Sequence, residues 1–288
     1  MDDQYREKID ITTDDAHSFQ LTVFGDLQNT TNPLIVCLPA MGVPGKHYHV
    51  LGEILSQAGC TALIADLRGL GSSSFRASGK INFGYWHLVA KDLTAIVGQL
   101  RKIHPDRKLF LLGHSLGGQL SVMYSALAPE SINGVILVAS GTVYYKNWSF
   151  PSNLKILFST QLARLIALLL GYFPGRRIGF GGTEAKNIIR DWANMALFGN
   201  LTPMASPPDF KNQFSTPQIP VLAISLEGDW YAPPKALQHL YQKLTNAQKT
   251  VFHLTEKDAP PETLHHFNWI KHPQPVIKKI VEWINHLE

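Results

Sequence analysis

The chain has 288 residues, of which 45% are hydrophobic and 17% are charged. This length allows two domains or one large α/β domain with an insertion, and the composition supplies a core and excludes a disordered chain. The formal net charge is only +4 and no run of five Lys or Arg occurs, so we expect no nucleic-acid partner. Cys37 and Cys60 lie in apolar segments and are expected to be buried free thiols.

Two segments bear on location. Residues 1–15 contain six acidic and two basic side chains and no apolar stretch, so no secretory signal is predicted and a cytoplasmic location is expected. The most hydrophobic stretch, 154–173, is interrupted by Lys155, Gln161 and Arg164. A spanning helix needs about 20 predominantly apolar residues with few or no charges. We therefore predict no transmembrane segment and interpret 154–173 as a hydrophobic helix of a soluble protein.

Short apolar runs alternate with longer helical patterns along the chain. Continuous apolar runs of four or five residues are typical of strands buried on both faces of a parallel sheet. The runs lie at 19–24, 34–38, 62–65, 109–112, 135–138, 221–225 and 251–254. The helical patterns lie at 47–58, 85–103, 116–127, 234–245 and 274–286. This alternation predicts an α/β fold with a mostly parallel, doubly wound sheet flanked by helices.

One interval is too long for a simple connection. About 80 residues separate Val138 from Val221, whereas neighbouring parallel strands need a connection of a dozen or more. Two helical patterns, 153–170 and 184–198, flank a Gly-rich turn here, and a Pro-rich stretch returns the chain to the core. The predicted domains are therefore a core formed by residues 1–141 and 216–288, and a helical cap formed by residues 142–215.

A G-x-S-x-G pattern stands between an apolar run and a helical pattern, with Ser115 at its centre and His114 and Leu116 beside it. In a strand-to-helix turn this pattern projects a serine hydroxyl from the carboxyl edge of the sheet. The helix N-terminus below it favours developing negative charge. A serine hydroxyl is a poor nucleophile unless a base removes its proton, so Ser115 requires a histidine held by a carboxylate.

Chain order narrows the choice of these partners. In this architecture the acid follows a later strand and the histidine follows the last one. Asp229 follows the run 221–225 and is the predicted acid, with Glu227 as second choice. After the run 251–254 come His265 and His266, one of which is the predicted base.

Two backbone N–H groups are expected to form an oxyanion hole. Leu116 follows the nucleophile and supplies the first N–H group, while Met41, in the turn after the run 34–38, is predicted to supply the second. No Gly-rich phosphate-binding motif and no cluster with metal-ligand spacing occurs in the sequence. We therefore predict neither a cofactor nor a metal site.

At the segments 39–48, 65–73, 113–118, 227–234 and 265–269 the sequence resembles the α/β-hydrolase superfamily. Over almost the whole chain it is similar to a bacterial group of predicted serine α/β-hydrolases with an inserted cap. The resemblance implies an α/β-hydrolase fold with a helical cap inserted after the sixth core strand, and a triad of Ser115, Asp229 and His266. In that group a Gly usually precedes the base and another follows it, as in GHxG. Here His265 and Asn268 occupy those places, so His265 stays the second choice.

Together these residues predict a serine hydrolase that cleaves a small-molecule carboxylic ester with an apolar chain through an acyl-enzyme. A thioesterase or an acyltransferase would use the same triad. A non-catalytic protein that binds a small ligand on the hydrolase fold is the alternative from a different class. The stretch 154–173 is apolar around more than one face, which favours a lid that also lines an acyl pocket. No oligomeric state is predicted.

Overall fold

An eight-stranded sheet forms the centre of the fold. The computed structural model describes residues 6–287. Residue 288 and residues 1–5, which belong to the segment 1–15 in which no secretory signal is predicted, lie outside the described residues. The sheet consists of β1 (Lys8–Thr12), β2 (Ser18–Phe24), β3 (Leu34–Leu38), β4 (Thr61–Ala65), β5 (Leu109–His114), β6 (Gly134–Val138), β9 (Val221–Leu226) and β10 (Lys249–Leu254). Their order is β1-β2-β4-β3-β5-β6-β9-β10, and β7 (Tyr172–Pro174) and β8 (Thr183–Ala185) lie in a separate hairpin. Within this described sheet only the β1–β2 and β2–β4 pairs are antiparallel, which confirms the predicted mostly parallel sheet.

Helices cover both faces of this sheet. They are α1 (His49–Gln57), α2 (Tyr85–His87), α3 (Thr94–Ile103), α4 (Leu116–Leu127), α5 (Ser152–Leu170), α6 (Lys186–Phe198), α7 (Pro234–Tyr241) and α8 (Gln274–Asn285). A π-helical turn, Leu88–Leu93, joins α2 to α3. The short 3₁₀ turns are Gly45–Tyr48, Pro129–Ser131, Tyr145–Asn147, Gly175–Ile178, Phe210–Ser215, Pro261–Thr263 and Trp269–Lys271.

The two faces of the sheet pack into two separate hydrophobic clusters. Because successive side chains of a strand point to opposite faces, Val36 of β3 packs in one cluster and its neighbours Ile35 and Cys37 pack in the other. The first cluster includes side chains of α3, α4 and α7, and the second includes side chains of α1 and α8. Cys37 and Cys60 are buried free thiols, as expected, and burial raises the pKa of both.

The sequence between β6 and β9 contains α5, α6 and a short antiparallel hairpin. The hairpin strands are β7 (Tyr172–Pro174) and β8 (Thr183–Ala185), and the Gly-rich turn predicted between the two helices lies at their tip. We call residues 142–215 the cap; these boundaries stay a prediction. Helix α5 is long and apolar enough, by length and composition, to cross a membrane. It packs against α6.

Two strand pairs differ from the sequence prediction. Strand β1 was not among the predicted runs, and its presence makes β6 the sixth strand of the sheet. Strand β1 lies at the edge of the sheet and only its Ile11 is fully buried. Its sequence, KIDIT, therefore contains only two apolar residues and no continuous apolar run. The β7–β8 hairpin was also missed, because each strand has only three residues and shows no periodic pattern.

Candidate active site

Ser115 occupies the turn between β5 and α4. Its backbone has φ 54° and ψ −115°, a conformation strained for any residue with a side chain. A Cβ on Gly113 would lie 2.2 Å from Gly118 N, and a Cβ on Gly117 would lie 2.0 Å from the Leu38 carbonyl oxygen. The glycines therefore allow β5, α4 and β3 to meet beneath Ser115, which is the packing that a nucleophile elbow requires.

A side-chain contact from the next strand holds this strained turn. Ser140 follows β6 and is fully buried. Its hydroxyl donates a hydrogen bond to the Ser115 carbonyl oxygen at 2.7 Å. The Gly118 N–H donates to the same oxygen at 3.1 Å. The main chain of Ser115 is thus fixed from two sides. The N-terminus of α4 begins directly behind it, where a negative charge is favoured.

Asp229 and His266 form a buried pair. His266 Nδ1 lies 2.9 Å from each carboxylate oxygen of Asp229. Oδ1 of Asp229 also accepts the N–H groups of Tyr231 and Ala232 at 2.9 Å, so the carboxylate is oriented by its own turn. An ionised carboxylate only accepts hydrogen bonds, so His266 donates from Nδ1. In the neutral ring, Nε2 then carries the lone pair that can take a proton.

Ser115 and His266 line one cavity of about 220 Å³. Met41 and Leu116, the predicted oxyanion donors, line the same cavity. The structure therefore brings the predicted nucleophile, base and oxyanion donors together, with Asp229 buried behind the base. Their catalytic roles stay predictions.

The second-choice residues lie apart from this arrangement. His265 is exposed, and its Nδ1 lies 2.8 Å from the Gly228 carbonyl oxygen, with which it hydrogen-bonds. Glu227 accepts the N–H of Glu256 at 2.9 Å. Neither side chain lines the cavity. Among residues 6–287 there is also no group of three or more His, Cys, Asp or Glu that could hold a metal ion.

The turn that carries Met41 is closed by its own backbone. The Val43 N–H donates to the Ala40 carbonyl at 3.2 Å, and the Ala40 N–H donates to the Tyr48 hydroxyl at 2.8 Å. Within the described part of the chain, no protein acceptor takes the Met41 N–H. It is therefore available to an oxyanion in the cavity.

The tip of the β7–β8 hairpin rests on this turn. Gly42 has φ +74°, and a Cβ placed on it would lie 2.1 Å from Gly182 N. Glu184 is buried beside this contact and accepts the Gly182 N–H at 3.0 Å. Burial raises the pKa of Glu184 to about 7. The cap is thus packed directly against the predicted oxyanion turn, with a buried carboxyl group behind the contact.

A second cavity, of about 380 Å³, lies beneath α5 and adjoins the first. Four side chains line both cavities: Val143, Phe180, Trp192 and Tyr231. The rest of its wall is mostly apolar and includes Trp148, Ile156, Leu162, Ala163, Ile166 and Phe173. The surplus of apolar residues in α5 is therefore only partly explained by this cavity, because Leu168 and Leu169 face solvent instead.

Another Ser, His and Asp set occurs in the fold. His17 lies 2.8 Å from the Ser73 hydroxyl and 3.2 Å from an Asp92 oxygen. Ser73 is buried, its hydroxyl accepts the N–H of Gly69 at 2.9 Å, and it lines none of the cavities described here. Arg68 binds Asp92 as well. These contacts hold the loop after β4 in place. The Ser73 hydroxyl is not accessible to a substrate.

Two features of the site were missed at the level of sequence. Tyr231 lies two residues after Asp229, so its position next to the acid was the available signal. Tyr48 contacts His114 from 66 residues away, at 2.7 Å between its hydroxyl and Nδ1, and no local pattern indicates that contact. Among the aromatic residues of the cap, Trp148 and Trp192 line the apolar cavity, whereas Phe150 and Phe198 are exposed.

Comparison with known proteins places these observations in a family. The family model described as serine aminopeptidase, S33, matches residues 30–200. This match covers more than half of the chain and includes Ser115. The chain is also 24% identical over 256 residues to a monoglyceride lipase of Rattus norvegicus, covering 79% of this chain and 80% of that protein.

Solved structures share the whole fold at low sequence identity. The α/β-hydrolase GrgF from Penicillium sp. superimposes with a TM-score of 0.65 at 12% identity, covering 98% of each chain. A monoacylglycerol lipase of Paleococcus ferrophilus superimposes with a TM-score of 0.57 at 18% identity, covering 91% of this chain and 96% of that one. The predicted α/β-hydrolase fold is confirmed by these matches.

Proposed function

The chain belongs to the serine aminopeptidase S33 family of α/β-hydrolases, and from this membership we propose that it is a serine hydrolase of carboxylic esters with an apolar acyl chain. The names of its relatives support an ester-hydrolysing enzyme. The cavity that contains Ser115 and His266 supports Ser115 as the nucleophile, and the apolar lining of the second cavity supports an apolar acyl chain.

The mechanism is argued from the Asp229–His266 hydrogen bond and from the cavity that His266 shares with Ser115. Ser115 Oγ attacks the ester carbonyl carbon while His266 Nε2 takes its proton, and Asp229 stabilises the imidazolium. The N–H groups of Met41 and Leu116 hold the oxyanion. The tetrahedral intermediate collapses, and the alcohol leaves with the proton from His266. Water, deprotonated by the same nitrogen, then releases the acid from the acyl-enzyme.

One observation carries this proposal. His266 Nδ1 is held 2.9 Å from both oxygens of a buried Asp229, while His266 and Ser115 line the same cavity. A histidine oriented in this way by a desolvated carboxylate, in one cavity with a serine on a strained elbow, is typical of a site that activates a serine hydroxyl.

The cavity walls favour a neutral, apolar substrate. Among the described residues that line the two cavities there is no Asp or Glu, so no carboxylate is placed to bind the ammonium group of a peptide N-terminus. The larger cavity is lined mostly by aliphatic and aromatic side chains, which suit an acyl chain. We therefore favour ester over aminopeptidase activity.

The test combines covalent labelling with a substrate series. A fluorophosphonate probe is expected to label the wild-type protein and to leave Ser115→Ala unlabelled. The wild-type protein is expected to hydrolyse p-nitrophenyl esters, with medium or long acyl chains preferred to acetate. His266→Ala should lose activity, whereas His265→Ala serves as the matched control and should keep it. Labelling of Ser115→Ala, or equal loss in both histidine variants, would contradict the proposal. A wild-type protein that binds apolar esters without turnover would be a receptor on the hydrolase fold.

A further inference from the structure

Helix α5 exposes an apolar stripe on the side away from the cavity. The stripe consists of Leu154, Phe158, Leu165, Leu168 and Leu169, and we call it the outer stripe. Phe158 and Leu169 are 71% and 75% exposed. The spacing of these five residues places them on one face of the helix. None of them lines either cavity. A contiguous apolar surface of this kind marks an interaction site.

The charges of the cap complement an anionic partner. The cap, residues 142–215, contains eight Lys or Arg and three acidic residues, of which Glu184 and Asp191 are buried and only Asp209 is exposed. This excess is larger than the formal net charge of +4 for the whole chain. The exposed basic side chains of the cap are Lys146, Lys155, Arg176, Arg177 and Lys211. The solvent-facing surface of the cap is therefore apolar and cationic.

We propose that the outer stripe docks the protein on a lipid surface that carries anionic head groups. Its Leu and Phe side chains would enter the boundary between head groups and acyl chains, and the exposed basic residues would contact the head groups. A second copy of this chain fits the same stripe less well, because both copies carry the same excess of positive charge on the cap. This role of the cap rests on the proposed function. In the docked protein, α5 would lie between the lipid and the apolar cavity that is proposed to bind the acyl chain.

The other face of α5 fixes its orientation. Ala163 and Ile166 line the apolar cavity, and Gln161 donates to the Ala193 carbonyl of α6 at 2.9 Å. Because this face is committed to the fold, α5 is expected to lie along a lipid surface and not to cross it. An apolar ester dissolved in the lipid would then be one helix away from the cavity.

The docking is tested with a protein that cannot react. Ser115→Ala is mixed with vesicles of phosphatidylcholine, with or without phosphatidylglycerol, and the sedimented fraction is measured. Binding is expected only to the anionic vesicles, and it should weaken as salt is added. Adding Phe158→Ser and Leu169→Ser to this protein is expected to lower the partition coefficient by about tenfold or more, because two apolar side chains that would enter the lipid are lost.

The control removes two apolar side chains that are exposed on the core, through Ile103→Ser and Val251→Ser, and is expected to bind as before. In the background with an intact Ser115, both double variants should hydrolyse a water-soluble ester at the wild-type rate, which separates failed docking from failed catalysis. Absence of binding to anionic vesicles, or equal loss in both variants, would overturn the proposal. A dimer that the Phe158 and Leu169 substitutions abolish would assign the stripe to a second copy instead.

A buried tyrosine lies behind the candidate active site. The Tyr48 hydroxyl accepts a hydrogen bond from the Ala40 N–H at 2.8 Å and donates a hydrogen bond to His114 Nδ1 at 2.7 Å. Ala40 precedes the predicted oxyanion donor Met41, and His114 precedes Ser115. Burial and the neighbouring His266 hold the pKa of His114 well below its usual range, so its ring is neutral and Nδ1 can accept.

We infer that Tyr48 is a positioning residue that keeps the oxyanion turn in register with the nucleophile elbow. Its hydroxyl ties the residue before one donor to the residue before the nucleophile. Because it also occupies the Ala40 N–H, the turn presents the next N–H, that of Met41, to the cavity. Removing the hydroxyl leaves the apolar ring in place but releases both turns from each other.

Tyr48→Phe tests this role. We expect kcat, normalised to active sites titrated with a fluorophosphonate, to fall by about tenfold with KM changed less than about twofold. The control is Tyr124→Phe, which removes another buried hydroxyl, one that accepts from Ser131 on the far side of α4. It should lower stability without changing the titrated kcat. A purely structural role for Tyr48 would likewise leave the titrated kcat unchanged, and that result would overturn the inference.

Discussion

Gly42 and Gly182 meet with no space for a side chain between them, since a Cβ on Gly42 would lie 2.1 Å from Gly182 N. Gly42 adjoins the predicted oxyanion donor Met41, and Gly182 belongs to the tip of the hairpin in the cap. The position of the cap and the position of the donor therefore depend on the same backbone contact.

Gly42→Ala is expected to lower kcat/KM by about a hundredfold, because the added methyl group must push the hairpin or the oxyanion turn aside. Steady-state kinetics with a soluble ester measures the change. Gly59→Ala is the matched control: Gly59 has a similar φ of +83°, but nothing lies within 4 Å of its Cβ position. It carries the same backbone strain without the clash. Equal losses of kcat/KM in the two variants would contradict this prediction, because they would attribute the loss to backbone strain and not to the contact with Gly182.

Asp229→Asn separates the two tasks of this carboxylate. The amide oxygen can still accept the N–H groups of Tyr231 and Ala232, so the turn should fold. The variant loses the charge that stabilises a protonated His266 and can select the wrong tautomer of its ring. We expect kcat to fall by roughly 10³- to 10⁴-fold with little change in thermal stability. Glu227→Gln should leave kcat unchanged, and the reverse ranking would assign the acid to Glu227.

Glu184→Gln should make the protein less sensitive to alkaline pH. The pKa of this buried carboxyl is raised from 4.5 to about 7, so the folded state favours its protonated form. Folding stability is therefore lost as pH rises from about 4.5 to about 7, and the cost of the buried charge is complete above that range. Gln keeps the acceptor for the Gly182 N–H. At about pH 8 the variant is expected to be more stable by about 3 kcal/mol, and at about pH 4 the difference should vanish.

Thermal unfolding at both pH values measures this difference. Glu130→Gln, at an exposed position on the core, is the control and should show no dependence on pH relative to the wild-type protein. A Glu184→Gln variant whose stability change is the same at both pH values would contradict the explanation by charge burial.

Ala163→Leu should shorten the preferred acyl chain. Ala163 lines the apolar cavity beneath α5, and a leucine would fill part of its 380 Å³. We expect kcat/KM for a long-chain p-nitrophenyl ester to fall by about tenfold, with the acetate ester unaffected. Leu168→Ala, on the exposed side of the same helix, should leave the ratio of the two esters unchanged. A uniform loss on all esters would place the acyl chain elsewhere.

The sheet and the turns that carry the candidate catalytic residues could be predicted from the sequence because each depends on local patterns. Buried central strands such as β3 and β5 are continuous apolar runs, and Gly113 and Gly117 flank Ser115 at a spacing that the elbow requires. The order of Asp229 and His266 along the chain follows from the order of the strands. These features needed no knowledge of contacts distant in sequence.

Other features depend on contacts that no local pattern contains. Strand β1 is half exposed at the edge of the sheet, so its apolar content is low. The link between Tyr48 and His114 joins residues of two different turns. The apolar residues of α5 divide between a cavity and an exposed stripe, and the packing of α5 against α6 and β7 decides which residue belongs to which.

The strand order also divides the active site between parts of unequal protection. The strained serine and the oxyanion turn follow β5 and β3, which are neighbours in the middle of the sheet, whereas His266 follows β10, the partly exposed edge strand. Edge elements open locally at lower free energy than central ones. On heating, fraying of β10 would withdraw the base while the central strands stay folded. Enzymatic inactivation should then precede the loss of secondary structure, and amide hydrogen exchange should find the loop of His266 less protected than the elbow.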